Sequence, residues 1–438
     1  MKQQAEHLSG VWWRPAAPDR RWHGALTVDG SDGGRLVVLS RPFSSEETPA
    51  PPPDCRDETL VGVARSRPVT LLGCTMRGSS GTWTDRSDPP TREVVAREVL
   101  LGIGAGTPET LRVHSASAVI PELAVWMARQ PSGPHGWGRD AAQLTVDDAA
   151  AGAEERTTQG PEPRIGPAGD GLAPHRRRIE IVTEPVVAVD VDGRPVTQVR
   201  ATVTAVDGIT LAEARMQLCA VQELASLMTQ TPPTPLWVLA DPVADGPAHH
   251  AGPVEWCWRQ VAPGDGVADL DTRPASSQSE RTPLADVLPA WQRMRQEHRT
   301  ALDLLLDELH TPHRTPQMHL LALVAAAEAF FASSVDDSPR RRKDTTLRMK
   351  LRHLADRVII ADGTSNSPVA DWAEQAARAR NSLTHGDESH SPAQLAVLAR
   401  ATTEVLMLNV LTGLGVPSSG LPQNLAADAR AVRAACQD

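Results

Sequence analysis

Four hydroxyl-proline pairs cut the last third of the chain into segments that are expected to be helical. Thr282-Pro283, Thr315-Pro316, Ser367-Pro368 and Ser391-Pro392 each offer an oxygen to a free N–H of a first helical turn, and proline at the next position loses no hydrogen bond there. At Ser391-Pro392-Ala393-Gln394 the glutamine adds a capping box. Helices are expected over Leu284 to His310, Pro316 to Ala332, Arg340 to Ile360, Pro368 to Thr384 and Pro392 to Leu411, with a short tail helix from Leu421. In the second of these, Leu320, Leu323, Val324, Ala327 and Phe331 form an apolar stripe. Residues 279–438 therefore read as an all-α bundle.

The chain before it has a β texture, so the fold class is α+β: a mostly-β region over 1–278, then the bundle. Gly24 to Asp29 and Arg35 to Leu39 flank a glycine-rich turn, a hairpin signal. Leu60 to Val63 and Val69 to Leu72 make a second pair of strands, with a proline-rich loop from Ser44 to Asp54 between the pairs. Residues 138–174 read as a long flexible excursion. Strands resume at Ile179 to Val182, Val186 to Val189 and, past an Asp192-Gly193 turn, Gln198 to Val203. Thr210-Leu211-Ala212-Glu213 has capping-box spacing and opens a helix to about Met228, with Leu211, Leu218, Val221 and Leu224 on its apolar face. Trp237 to Leu239 is a candidate strand, and Asp241 to Gln278 a linker in which Trp256-Cys257-Trp258 is a packed anchor or short strand. The Trp12-Trp13 pair is expected in a core rather than as a base-stacking platform. Gly102 to Gly106 lacks the Gly-x-x-x-x-Gly-Lys-Ser/Thr pattern, so a turn is expected there and not a phosphate loop.

The net charge of −10 over 438 residues excludes a protein that coats nucleic acid generally; any such contact must be a local patch. Met1 to His7 lacks the apolar core of a signal peptide, and no apolar run looks long enough to span a bilayer, so a cytoplasmic protein with no membrane partner is expected. Cys55, Cys74, Cys219, Cys257 and Cys436 are odd in number and never in Cys-x-x-Cys spacing, which argues against a disulfide framework or a zinc site.

The stretch Arg378 to Asp387 carries the chemistry. Asn381 and His385 stand four apart on one helical face, while Arg380 and His385 diverge by about 140° on an ideal helix. Convergence of these two requires the helix to end here, or a second chain to supply one of them. Gly386 favours an ending, since glycine after the last helical residue can take the left-handed conformation. A neutral imidazole can take a ribose 2′-OH proton, a guanidinium can hold the phosphate, and an amide can orient either, with no metal or cofactor required. Arg five residues before a His arises readily by chance in this Arg-rich chain. Asparagine is scarce, however (Asn366, Asn381, Asn409 and Asn424), so Arg-Asn-x-x-x-His arises by accident at only about one per cent. Glu328, within the apolar stripe, could meet Arg380 across the bundle, or else solvent or a structural partner. Arg340, Arg341, Arg342 and Lys343, with Arg348 and Lys350, form the most basic segment; phosphate contacts and a merely solvated face remain open.

Arg-x4-6-His with a polar residue after the Arg, closing one bundle helix just before another, resembles the signature of HEPN ribonucleases. Arg380-Asn381-Ser382-Leu383-Thr384-His385 fits it, and the segment through Gly386 is similar to ApeA-type HEPN proteins of bacterial anti-phage defence. The opening Leu8 to Pro15, with Gly24-Ala25-Leu26, Leu60-Val61-Gly62 and Val69 to Leu72, is similar to the N-terminal domain that accompanies them. The resemblance implies an endoribonuclease acting in abortive infection, with His385 as base or acid, Arg380 as phosphate clamp and Asn381 as orienting group; beside it, Glu328 and Thr384 are expected as supporting residues. It implies RNA, with tRNA as one target, as substrate, a composite cleft across at least a homodimer, and room for a phage-derived trigger. The alternative is a catalytically silent HEPN scaffold that binds RNA or a partner protein.

Overall fold

The computed structural model describes residues 6–29, 33–39, 56–80, 91–104, 108–128, 140–147, 176–189, 195–229, 233–234, 236–243, 253–258, 283–311, 314–334, 345–362, 367–386 and 390–416. The proline-rich loop, the Asp192-Gly193 turn, Arg340 to Lys343 and the tail from Leu421 lie outside these residues.

Strands β1 (Glu6–Arg14), β2 (Ala17–Asp29), β3 (Gly33–Leu39), β4 (Arg56–Ala64), β5 (Arg67–Ser80) and β6 (Thr91–Ala96) pair in the order β4-β1-β2-β3-β6-β5. A further β4–β5 ladder closes the ring into a barrel. The two hairpins expected from sequence are β2–β3 and β4–β5, the second turning through Arg65 and Ser66 at φ 47° and 65°. Positive φ at both turn residues matches the twist of the strands. Trp12 is fully buried inside, across from Trp22, and its Nε1 donates to Gly24 O at 3.3 Å. The indole lies so close to Gly62 that a Cβ there would fall 2.4 Å from Trp12 Cε3. Core packing is thus what Trp12 does, and Trp13 packs partly buried on the same cluster beneath Arg21.

The ladder leaves the barrel through β7 (Glu98–Leu101), which pairs with β5 and with β13 (Val254–Trp258). It continues through β12 (Trp237–Pro242), β8 (Arg112–Val119), β11 (Pro195–Thr210) and β10 (Arg176–Val189) to β9 (Asp140–Asp147) at the far end, every pairing antiparallel. Helix α1 (Pro121–Ala128) packs on β11 and on α2 (Leu211–Thr229), and α2 packs on β8 and β11. The expected capping box opens α2: Thr210 N donates to Glu213 Oε2 at 2.8 Å and Glu213 N to Thr210 Oγ1 at 3.1 Å. Arg215 of α2 lies over the rings of Trp256 and Trp258, 5.1 and 4.6 Å from their centroids, and joins helix to sheet.

Two expectations for this region need correcting. The excursion is not structureless from its start, because Asp140–Asp147 is a strand on β10. Within the linker from Asp241, Trp256-Cys257-Trp258 takes the short-strand form expected for it, in β13, which joins the barrel to the open sheet. The two runs read as separate strands at 179–182 and 186–189 are one strand, β10. Among the described cysteines, Cys74, Cys219 and Cys257 form no disulfide, and burial pushes the thiols of Cys219 and Cys257 up to about 11 and about 12, where they stay protonated and inert.

The C-terminal region comprises α3 (Leu284–Glu297), α4 (Arg299–His310), α5 (Pro316–Ser334), α6 (Leu347–Asp362), α7 (Ser367–His385) and α8 (Pro392–Gly413). The long first helix expected from sequence is two, broken at His298, which takes φ −120° and ψ 28°. His298 stacks on Phe330 at 4.2 Å and its Nδ1 lies 2.5 Å from Ser333 Oγ. The bend lets α3 pack beside β9 and α2 while α4 packs on α5. Pro283 is itself the N-cap of α3 and not its first helical residue. Within the described residues the basic helix begins at Leu347, with Thr346 Oγ1 accepting from Met349 N at 3.4 Å. Ser391 forms the full capping box with Gln394. Contrary to the expectation of no sufficiently long apolar run, α5 and α8 are long and apolar enough to cross a membrane by length and composition. In the fold Leu320, Leu323, Leu406 and Val410 of these helices are buried in the bundle core.

Candidate active site

Helix α7 has two unlike faces. Trp372, Ala373, Ala376, Ala377 and Ala379 are buried, and Trp372 Nε1 donates to Thr402 Oγ1 of α8 at 3.3 Å. Small alanines bring the α7 backbone close to its neighbours, so the polar residues between them are held on a well-seated helix. Arg378, Asn381 and His385 are exposed. The helix ends as the glycine suggested: Gly386 has φ +73° and its N–H reaches Leu383 O at 3.4 Å. His385 thus occupies the last helical residue, open to solvent.

Arg380 is held from two sides. Its Nη1 donates to Asn381 Oδ1 at 3.3 Å, and its Nη2 lies 3.8 Å from Glu328 Oε2 of α5. Glu328 in turn accepts from Lys350 Nζ of α6 at 2.7 Å through its other oxygen. Arg380, Asn381, Glu328 and Lys350, from three helices, are therefore brought together. Thr384 Oγ1 donates to the carbonyls of Arg380 and Asn381 at 3.0 and 2.8 Å, so it fastens the last turn. His385 stands apart from Arg380 by about 7.5 Å of helical rise and about 140° of rotation.

The basic helix α6 turns out to be paired, not bare. Lys350 is bound to Glu328, and Arg348 Nη1 donates to Glu374 Oε2 at 2.8 Å. Arg378 Nε donates to the other oxygen of Glu374 at 2.9 Å. These hydrogen bonds, Arg348 foremost, hold the Glu374 carboxyl below its usual range. Reading the sequence for Arg and His alone passed over Arg378 and Glu374. Their spacing to Asn381 and His385 was the available signal, since steps of four, three and four keep one helical face.

Residues 7–147 match the family described as ApeA N-terminal domain 1, and residues 303–419 match the family described as Apea-like HEPN. The chain is an ApeA-type HEPN protein. Arg380, Asn381 and His385 fall inside the HEPN match, and the barrel falls inside the N-terminal one. No curated protein and no solved structure matches the chain. An Apea-like HEPN domain points to a nuclease-type defence effector.

Proposed function

We propose that this ApeA-type HEPN protein is a metal-independent endoribonuclease that cuts cellular RNA, with tRNA as a target suggested by the family resemblance, in an abortive-infection response. The observation that carries this reading is the guanidinium of Arg380, steadied by Asn381 and Glu328, on the same helix end as an exposed His385. His385 takes the proton of a ribose 2′-OH; the oxygen attacks phosphorus while Arg380 stabilises the charge gathering on the non-bridging oxygens. The bond to the 5′-oxygen breaks, and that oxygen takes up a proton from an acid in the site. The products are a 2′,3′-cyclic phosphate and a 5′-OH.

Because Arg380 and His385 diverge around α7, the complete site is composite in this reading. Two chains related by a two-fold axis each bring Arg380 and His385 to a shared cleft, which makes the working unit at least a homodimer. The N-terminal barrel serves as sensor or restraint, answering a phage-derived trigger, and the protein works in the cytoplasm.

The test is total bacterial RNA incubated with wild-type and His385→Ala protein in excess EDTA, with fragment ends read out. Wild type should leave cyclic-phosphate ends, and the variant should fold normally and lose activity by about 10²-fold or more. Equal cleavage by both overturns the assignment of His385. A second reading, the silent HEPN scaffold, is favoured by the Arg380–Glu328 pair alone, which ties α7 to α5. It requires that neither protein cut RNA under any condition that the trigger provides.

A further inference from the structure

We propose that Arg378 and Arg348, joined through Glu374, form a second phosphate subsite that grips the RNA strand beside the bond to be cut. This rests on the nuclease reading above and adds to it a binding register. Glu374, Arg378, Asn381 and His385 fall within an arc of about 60° on α7, so they make one continuous outward row. Arg348 reaches the foot of that row from α6. The two guanidiniums take one oxygen each of the same carboxylate, at 2.8 and 2.9 Å. Three formal charges thus sum to one net positive charge. Each guanidinium has five N–H donors, and the side chains of Arg348 and Arg378 remain 62% and 65% exposed. A phosphate can therefore add to the cluster without breaking it.

Lys350 contrasts with this pair. It is only 23% exposed and bound to Glu328, so it steadies the Arg380 clamp instead of meeting RNA. Along α7 the rise from Arg378 to His385 is about 10 Å, a span that lets a neighbouring phosphate of an extended strand lie on Arg378 while the scissile one lies at His385. The ligand is the phosphodiester backbone of single-stranded RNA, held without reading its bases. In a chain of net charge −10, such a local cluster is what draws a polyanion to one place.

The experiment is fluorescence anisotropy of an RNA octamer, 2′-O-methylated throughout to block cleavage, titrated with full-length protein across a salt series. Arg348→Gln/Arg378→Gln should weaken binding about tenfold and lower the salt slope by about 0.7, the value for one lost phosphate contact on a single strand. Arg348→Lys/Arg378→Lys, which keeps the charge, should recover the slope. Arg20→Gln/Arg299→Gln, an equal loss of charge at exposed positions elsewhere, should bind as wild type. A site variant that matches wild type, or matches this control, overturns the subsite. If wild type binds no octamer, the subsite and the nuclease reading fall together; if cleavage depends on His385 yet the site variant binds unchanged, the subsite alone falls.

Discussion

In the barrel, Trp12, Leu26, Leu36, Leu71 and Cys257 belong to a core enclosed by strands. In the helical region, Trp291, Leu323 and Trp372 belong to a core that runs without interruption through α1, α2 and the open sheet. The polar groups divide the same way. Among the described barrel strands Thr70 is the one buried polar side chain, and it donates to Ile103 O at 3.0 Å, whereas Gln217, Gln222, Glu308 and Asn409 lie buried in the sheet-and-bundle core. Asn409 Nδ2 donates to Leu354 O at 2.9 Å and so ties α8 to α6. The HEPN match begins inside α4, yet no break in packing falls there: Trp291 Nε1 of α3 donates to Ala220 O of α2 at 2.9 Å. The site helices therefore share one core with the open sheet, joined to it through α3 and α2, while the barrel is a separate body of packing strung on the same ladder.

Three substitutions probe that contrast. Trp291→Ala removes the fully buried indole at the joint and should cost about 4 kcal/mol. Hydrogen exchange should speed up in α2 and in the bundle helices but not in β1 to β6; a loss confined to α3 would mean the core is not continuous. Gly62→Val drives a side chain into Trp12 and should cost the barrel about 3 kcal/mol, with α5 to α8 keeping their exchange protection. Simultaneous loss in both regions would contradict the separation.

Glu308→Gln has the smallest expected effect and tests the bundle's tolerance of buried charge. The Glu308 side chain is 1% exposed beside Arg314, and burial pushes its carboxyl from 4.5 up to about 7 against the pull of that guanidinium. The folded state holds this proton more tightly than the unfolded chain, so the stability it contributes is fully present below pH 4.5 and is lost as pH rises to about 7. Denaturation of wild type should show a fall of about 2 kcal/mol between pH 5 and pH 7 that the variant lacks. Parallel pH profiles would sink this account.

How far the sequence could be read follows from where each element's information lies. The two barrel hairpins and the capped helices were legible because glycine, proline and hydroxyl residues act locally. The break at His298 was not, because Leu288, Trp291, Ala301, Leu302 and Leu305 carry a helical period straight through it; the bend is imposed from outside by Phe330 and Ser333. Strand β9, Asp-Ala-Ala-Gln-Leu-Thr-Val-Asp, has too little apolar alternation to be recognised alone and exists by pairing with β10. At the candidate site, Arg380, Asn381 and His385 were visible as a motif, and the contact of Arg380 with Glu328 was one of several options. The carboxylate partners of Arg348 and Lys350 were hidden, since they come from other helices.

The placement of α3 beside β9 has a consequence for life in a crowded cell. Closure of the barrel removes one end of the ladder, and among the described residues β9 is the strand left at the other. A bare end of that kind is a template on which a second molecule could add its own strand, the first step towards aggregation. A helix lying alongside is one of the ways such an edge is guarded, so α3 helps keep the molecules apart as well as linking sheet to bundle.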